Sequence, residues 1–450
     1  MNVKISRSKA PFFLAIFLLE WTTLRMHLFL AINGKSPTLL IMIPFVFFHL
    51  GIVYRKLGFS KWEAIATFTL LLELVEGIVV ASVNENYEGL IRFINGYMGV
   101  VIVYLGVKIC YPFFSEKNFK TKIYKAMYNG CFWLTFFMGS LQLLYILTHS
   151  QFLYSIIKEM LWRAPSYLDY GKVQLFTEPS LFGEIVYLIF VPSFAYLYKN
   201  RIYKRSRLVV SFIIVFGINL MGISTRFLID TVVYIILLCV AHIICGDKNE
   251  KIRNAAYIAV MLCMAMLVFY FDIFSLSSRN HAIERIHSIL TTGTGLKNDG
   301  SGWLRMEYIR CAWKGFLQKP IWGWGAGNYS SALKLNYHSI APNAIASKEL
   351  AQAIQSNNMV SYSFIFTQLC ESGLIGLINV FNVCFILIKM IRKSNGVVLC
   401  TTAMFMAYMF FQNEMIGCFS MAFLLAIFNY NSKCKNYYKC IDGGLILDSR

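Results

Sequence analysis

The chain has 450 residues, of which 57% are hydrophobic and only 14% are charged. Soluble globular chains carry roughly 45–50% apolar and about 25% charged residues, so the composition excludes a set of ordinary soluble domains. The net charge of +19 would suggest nucleic acid in a soluble protein, but here the basic residues cluster between apolar runs and no nucleic-acid motif accompanies them. An integral membrane protein remains.

Apolar segments suited to crossing a membrane recur along the whole chain. A hydrocarbon core of about 30 Å requires about 20 mostly apolar residues. The first segment is too long for a signal peptide and lacks a small-residue cleavage site, so it is expected to stay as a span. The predicted spans are 11–30, 38–53, 62–81, 91–113, 126–148, 180–198, 208–223, 227–246, 254–275, 359–388, 397–411 and 415–430.

The basic residues test this topology independently. If the N-terminus is cytoplasmic, most Lys and Arg outside the large loop fall on the inside, as the positive-inside rule requires. The short outside loops hold only Lys35, Arg92, Lys158, Arg163, Lys172 and Arg226. The sequence therefore predicts an all-α polytopic membrane protein with about 12 transmembrane helices and two cytoplasmic termini.

The predicted topology divides the chain into three parts. Residues 1–275 contain spans one to nine with an outer loop at 149–179, and residues 359–450 contain the last three spans and a cytoplasmic tail. Between them, residues 276–358 form a large extracytoplasmic loop rich in Lys and Arg. An anionic ligand at the outer face would account for that charge.

Two amphipathic helices are predicted in the large loop, one at 303–316 and one around 343–355. The first would carry an apolar stripe, with Arg305 and Arg310 largely off it. That stripe consists of Trp303, Met306, Cys311 (or Ile309), Trp313 and Phe316. Such helices are expected to lie along the membrane surface or to cap the bundle.

Two short polar elements at outer helix ends are candidates for chemistry. In Glu178-Pro179-Ser180 the residues either cap a helix start, or Glu178 acts as a general base. In Ser224-Thr225-Arg226 the arginine either snorkels to the interface or clamps a phosphate with its planar guanidinium. The residues alone leave both alternatives open.

Two further motifs lie in and after the large loop. The alternating glycines of Gly323-Trp324-Gly325-Ala326-Gly327 follow no strand, so they do not form a nucleotide fingerprint. They predict a tight turn that brings backbone close to a ligand or to the end of a span. Glu371, in Glu371-Ser372-Gly373, is either a functional intramembrane carboxylate or part of a packed, kinked helix.

Histidine and cysteine spacing gives no support for a metal or a cofactor. Neither an HExxH pattern nor a CxxC pair occurs in the sequence, so no metal site is predicted. His338 is a candidate base in the large loop, although an exposed loop histidine explains it equally simply.

Taken in order, these motifs resemble the O-antigen polymerase and ligase superfamily. The resemblance rests on the spans with one large late outer loop, the arginine at the start of the amphipathic helix, the Pro-x-x-Gly-x-Gly-x-Gly turn and the closing Glu-x-Gly-Leu-x-Gly-Leu span. Glu178-Pro179-Ser180 and the short Ser-x-Arg connection resemble its polymerase branch. In the ligase branch a His-Asn pair precedes the last motif, whereas Asn357-Asn358 stands here.

The resemblance implies a metal-independent glycosyltransferase of the bacterial inner membrane. It would polymerise undecaprenyl-diphosphate-linked oligosaccharides into a surface polysaccharide such as O-antigen (in lipopolysaccharide) or capsule, with membrane lipid around it and a chain-length regulator as an optional partner. Arg226 and Arg305 would bind the diphosphate with help from Arg310 and Glu371. Glu178, or else His338, would activate the acceptor.

Two other functions remain open on the sequence. A ligase would transfer finished glycan to the lipid A core, and a flippase would carry the same lipid-linked sugars across the membrane. Transporters often contain two related halves with matching broken helices. No such repeat is visible in this sequence.

Overall fold

The structure is a computed structural model that describes residues 37–52, 61–109, 117–160, 185–221, 225–245, 300–338, 340–357 and 359–391, and also the short pieces 173, 183, 287–288, 291, 401, 403–404 and 407–409. All regular secondary structure in these ranges is helical. The all-α prediction is thus confirmed for the part of the chain that the structure describes.

The helices follow the predicted spans closely. Those before the large loop are α1 (Pro37–Ile52), α2 (Lys61–Asn84), α3 (Tyr87–Ile109), α4 (Lys117–Thr148), α5 (Gln151–Met160), α6 (Val191–Lys199), α7 (Arg205–Met221) and α8 (Thr225–Cys245). Those that follow are α9 (Gly300–Gln318), α10 (Tyr329–Asn336), α11 (Ala344–Gln355) and α12 (Phe364–Ile391). The predicted spans 11–30, 254–275, 415–430 and most of 397–411 lie outside the described residues.

Four stretches of the described helices are long and apolar enough to cross a membrane. They are Lys61–Asn84, Tyr87–Gly106, Thr121–Thr148 and Phe364–Asn382. α2 also leaves large apolar side chains exposed, among them Phe68, Val75 and Val83. A continuous apolar surface of this kind suits contact with lipid. The structure thus supports the membrane-protein class.

A turn of π-helix, Val186–Phe190, leads directly into α6. Pro192, in the first turn of α6, has no N–H to donate to the carbonyl of Leu188 four residues earlier, so the regular helical ladder cannot continue through this point. The wider turn accommodates the missing bond and keeps all five of its residues buried.

The buried side chains form two clusters. The larger joins α1, α3 to α8 and α12 and contains many aromatic rings, such as Tyr128 stacked on Phe190 at 5.3 Å and Tyr187 stacked on Tyr234 at 4.8 Å. The smaller joins α9, α10 and α11 to Cys370 of α12. We call α9, α10 and α11 the helical layer, since they pack together upon the start of α12.

The predicted apolar stripe of α9 is right in part. Cys311 is buried, and Trp303 and Phe316 pack against the buried clusters, whereas Met306 is 65% and Trp313 is 43% exposed. The fully buried face, which packs on α10, α11 and α12, consists of Leu304, Tyr308, Cys311 and Ala312. Small residues fit there because neighbouring helices approach closely at Gly315, where a Cβ would lie 2.7 Å from Cys370 Sγ.

Backbone also meets backbone where α3 begins. A Cβ atom on Gly89 would lie 2.1 Å from the carbonyl oxygen of Gly327, in the segment that connects α9 to α10. Gly139 of α4 approaches Ile218 of α7, although there the neighbouring atoms belong to a side chain. Small residues permit such close helix packing within membranes.

Replacing Gly89 by Ala is expected to lower the free energy of unfolding by about 1–3 kcal/mol, because the Gly327 backbone must move to relieve the clash. Gly217→Ala is the matched control, since Gly217 is also helical but its Cβ would have no neighbour within 4 Å. The control is expected to be neutral or to gain up to about 1 kcal/mol. Thermal unfolding of both variants in the same detergent would contradict the packing argument if their midpoints shifted equally.

Candidate functional site

α12 is interrupted at Gly373, directly after Glu371 and Ser372. Gly373 has φ 54° and ψ −126°, in the region that residues with a Cβ rarely adopt. The two halves of α12 therefore meet at a sharp break within the predicted tenth span. A break at this place leaves backbone groups of the preceding and following turns without their helical partners.

The segment between α9 and α10, residues 319–328, supplies those partners, and we call it the glycine turn. Gly323, Gly325 and Gly327 have φ values of 73°, 91° and 83°. A Cβ on Gly323 would lie only 2.3 Å from the carbonyl oxygen of Glu371. The predicted tight turn is thus confirmed, but at this contact it approaches the break within the predicted tenth span and not an end of that span.

Three backbone hydrogen bonds join the glycine turn to the break. Trp324 N donates to Cys370 O at 3.0 Å, and Gly325 N donates to Glu371 O at 2.8 Å. In the opposite direction, Leu374 N donates to Ile321 O at 3.1 Å. In an unbroken helix Leu374 N would donate to Cys370 O, so the turn replaces the helical bonds that the break removes.

The glycine turn also packs against the corner between α2 and α3. A Cβ on Gly77 of α2 would lie 3.0 Å from Ala326 Cβ. At the corner itself, Asn86 Nδ2 donates to Asn328 Oδ1 at 2.8 Å. Together with the Gly89 contact, this packing makes the glycine turn the point where α2, α3 and α12 meet.

The carboxylate of Glu371 lies in this junction and is almost completely buried. Arg92 of α3 forms an ion pair with it, with 2.8 Å between Nη2 and Oε1. The Tyr329 N–H, at the start of α10, donates to the same oxygen at 3.2 Å. Arg92 Nη1 donates to Met359 O at 2.8 Å. The pair therefore connects α3, α10, α12 and the segment that leads into α12.

Two more carboxyl groups lie on the adjacent part of α2. Glu73 is fully buried and accepts a 2.7 Å hydrogen bond from Asn379 Nδ2, on the second half of α12. Glu73 and Glu76 both interact electrostatically with Glu371. Within the described residues, Arg92 is the cation that pairs with these three carboxyl groups, and it does so through Glu371. The junction therefore contains more carboxyl groups than cations and carries an excess of potential negative charge.

Arg305 lies near the same junction but on α9. Its guanidinium stacks over the ring of Tyr362, with 5.1 Å from Cζ to the ring centroid. Tyr362 in turn stacks on Tyr308, at 5.5 Å between centroids. Arg92 contacts Met359 and Arg305 contacts Tyr362, so two arginines from different helices meet the four-residue segment 359–362.

Arg310 is held differently from Arg305. Its Nε donates to Glu307 Oε2 at 2.8 Å, and its Nη2 also contacts the other carboxylate oxygen of the same residue. This hydrogen-bonded partner raises the pKa of Arg310 further above its usual value. Arg310 Nη2 also donates to Asn336 O at 3.4 Å, so the structure places Arg310 in an ion pair within α9 that reaches the end of α10.

Of the remaining predicted site residues, His338 follows α10 and is exposed. Arg226 lies in the first turn of α8, and Glu178 lies outside the described residues.

The described residues give little support for thiol or metal chemistry. Burial raises the pKa of the Cys311 thiol to about 12, so it stays protonated at neutral pH and is a poor nucleophile. Among the described residues, no group of three or more His, Cys, Asp and Glu side chains could hold a metal ion. The junction instead offers arginine donors and carboxylate acceptors.

Sequence reasoning missed three residues of this junction. Arg92 was counted only as a topogenic charge in a short outside loop, although its pairing with Glu371 crosses 279 positions of the chain. Glu73 and Glu76 lie within the predicted span 62–81, and charged residues inside spans are functional candidates by default. Applying that rule to every span would have found both glutamates.

No protein-family model matches the chain, and no curated protein shows significant similarity to it.

The ion pair between Arg92 and Glu371 is expected to dominate the stability of the junction. Each single change, Arg92→Gln or Glu371→Gln, should destabilise the protein by about 3–5 kcal/mol because it leaves a buried charge or polar group unpaired. The double variant should lose less than the sum, with a coupling of about 1–3 kcal/mol in denaturant titrations of the purified protein.

A second double-mutant cycle, which combines Lys108→Gln with Glu371→Gln, is the control. Lys108 forms its ion pair with Glu63, at 2.8 Å, and not with Glu371. Those two changes should add to within about 0.5 kcal/mol. Equal coupling energies in the two cycles would show that the Arg92–Glu371 contact has no special role.

Proposed function

We propose that this protein is a membrane-embedded, metal-independent glycosyltransferase of the polymerase branch of the O-antigen polymerase and ligase superfamily. It joins undecaprenyl-diphosphate-linked oligosaccharide repeat units into a surface polysaccharide at the outer face of the bacterial inner membrane. The proposal includes twelve spans, two cytoplasmic termini, and residues 276–358 as the extracytoplasmic loop. The sequence motifs support the family, and the junction at the break in α12 supports the location of the site.

One observation carries the proposal most directly: Arg92 and Arg305 meet the same segment, 359–362, at the start of α12. A diphosphate leaving group concentrates negative charge, and fixed guanidinium donors stabilise more of it as the glycosidic bond breaks. Arg92 uses one N–H of each terminal nitrogen for Glu371 and Met359. A guanidinium has five N–H donors, so others remain for a phosphate.

In the proposed reaction, a hydroxyl oxygen of the acceptor sugar attacks the anomeric carbon of the donor glycan. The bond between that carbon and the diphosphate oxygen breaks, and undecaprenyl diphosphate leaves with the bonding electrons. The hydroxyl proton passes to a base, for which Glu178 is the first choice and His338 the second. Arg226 and Arg305 bind the diphosphate in this proposal, Arg310 assists, and Glu371 positions Arg92.

A transporter of the same lipid-linked sugars is the second candidate, because α12 is discontinuous. Broken helices within spans are typical of transporter binding sites. In α12, however, the groups freed by the break bond to the glycine turn. None of the contacts described above favours the ligase function, in which finished glycan would be attached to the lipid A core.

Replacing Arg305 by Ala is expected to leave single repeat units in place of long polysaccharide, with a loss in transfer rate of roughly 100-fold. The test is a gel of surface polysaccharide from a strain that lacks the protein and is complemented with each variant. Arg305→Lys should recover only part of the length, since lysine cannot donate a bidentate pair.

Lys314→Ala is the matched control, because position 314 lies nine residues on, about half a turn round α9 from Arg305. It should give full-length chains. Polysaccharide chains of normal length from Arg305→Ala at wild-type protein levels would refute the assignment of Arg305.

The deletion strain separates the alternative functions. Accumulated full-length polymer on its lipid carrier would indicate a ligase, and loss of outward-facing repeat units would indicate a transporter.

A further inference from the structure

Two basic segments, residues 117–129 and 196–211, pack against each other at one end of the bundle. Together they contain nine Lys and Arg residues and no Asp or Glu. The contact is made by aromatic rings: Tyr124 stacks on Tyr196 with 4.2 Å between centroids, and Asn129 Nδ2 donates to Tyr203 OH at 3.3 Å. Tyrosines thus bring together two segments that charge repulsion alone would separate.

The same rings hold individual cations in place. Arg207 Cζ lies 4.2 Å from the centre of the Tyr203 ring, and Lys125 Nζ lies 5.3 Å from the same centre. Arg205 stacks over Tyr198 at 5.4 Å. Such cation–π contacts restrict long side chains that are otherwise free to move in solvent. The positive charge is therefore preorganised around Tyr203.

A cavity of about 330 Å³ opens beside this group of cations. Its polar wall comes from Ser206 and Arg207, and its apolar wall comes from Phe132 and Val210. Val210 is 54% exposed, and α4 contains one of the stretches that can cross a membrane. The cavity thus combines one cationic side chain, Arg207, with apolar side chains of which Val210 is exposed on the outside of the bundle.

We propose that this cavity binds an anionic glycerophospholipid, with the phosphate at Arg207 and Ser206 and an acyl chain along Phe132 and Val210. The two walls select this ligand. A free phosphate ion makes no contact that uses the apolar wall, and a zwitterionic lipid gains less from Arg207 and from the basic segments next to the cavity. The proposal does not depend on the glycosyltransferase function.

The test uses the purified full chain, reconstituted in mixed micelles of a neutral detergent. Thermal unfolding is measured while dioleoyl phosphatidylglycerol, dioleoyl phosphatidylcholine or inorganic phosphate is added. The expected result is a saturable rise in the midpoint with phosphatidylglycerol and a clearly smaller rise with phosphatidylcholine. Inorganic phosphate alone is expected to give no rise.

Arg207→Gln should weaken the apparent affinity for phosphatidylglycerol roughly tenfold, because one charge-assisted contact is lost. Lys204→Gln removes the same charge from the same segment, but Lys204 does not line the cavity. The affinity of this variant for phosphatidylglycerol should therefore change much less. If Arg207→Gln fails to fold, Val210→Trp provides a second test, since it fills the cavity from the exposed side and should abolish the selective shift.

Three results would overturn the proposal. The first is equal stabilisation by the two lipids. The second is an equal loss for the Arg207 and Lys204 variants, which would indicate a diffuse charge effect. The third is a full shift with inorganic phosphate, which would identify a simple anion site.

Discussion

A helix that breaks inside a membrane exposes backbone groups that lipid cannot satisfy, and this constraint organises the structure around α12. Hydrocarbon offers no hydrogen bonds, so irregular backbone at membrane depth must be covered by protein. The glycine turn provides this cover with three bonds to the residues around Gly373. Its glycines are required for the same reason, since their positive φ values and missing side chains let backbone approach backbone. The two motifs are two halves of one structural unit.

The charged groups of the junction depend on that unit. Glu371 is placed by the break, and Tyr329, which donates to it, begins the helix that follows the glycine turn. Arg92 reaches Glu371 because the start of α3 packs against the same turn at Gly327. The backbone geometry therefore comes first, and the ion pair follows from it. Breaking a buried pair of this kind is costly because it leaves one charge uncompensated, although desolvation offsets much of the attraction between the intact partners.

The sequence predicted the helices well and their contacts only in part. Apolar runs and basic residues were sufficient for the helical class, and helix positions such as 344–355 were found within a residue or two. The face of α9 was predicted only in part: Cys311 is buried as expected, but Met306 and Trp313 are exposed and the small Ala312 is buried in their place, because small residues fit closely spaced helices. The partnership of Arg92 with Glu371 could not be predicted from one sequence, since no local pattern connects residues so far apart. Glu73 and Glu76 were visible as charges within a span but were overlooked.

The order of the glycine turn and α12 along the chain has a consequence for biogenesis. Chains fold from the N-terminus as they are synthesised, so α2, α3 and the glycine turn all emerge before their common partner. Until residues 370–374 have been synthesised and have packed against the turn, Trp324 and Gly325 lack the carbonyl groups to which they finally donate. The helical layer can therefore reach its final position only when a late helix arrives, and α12 completes this junction.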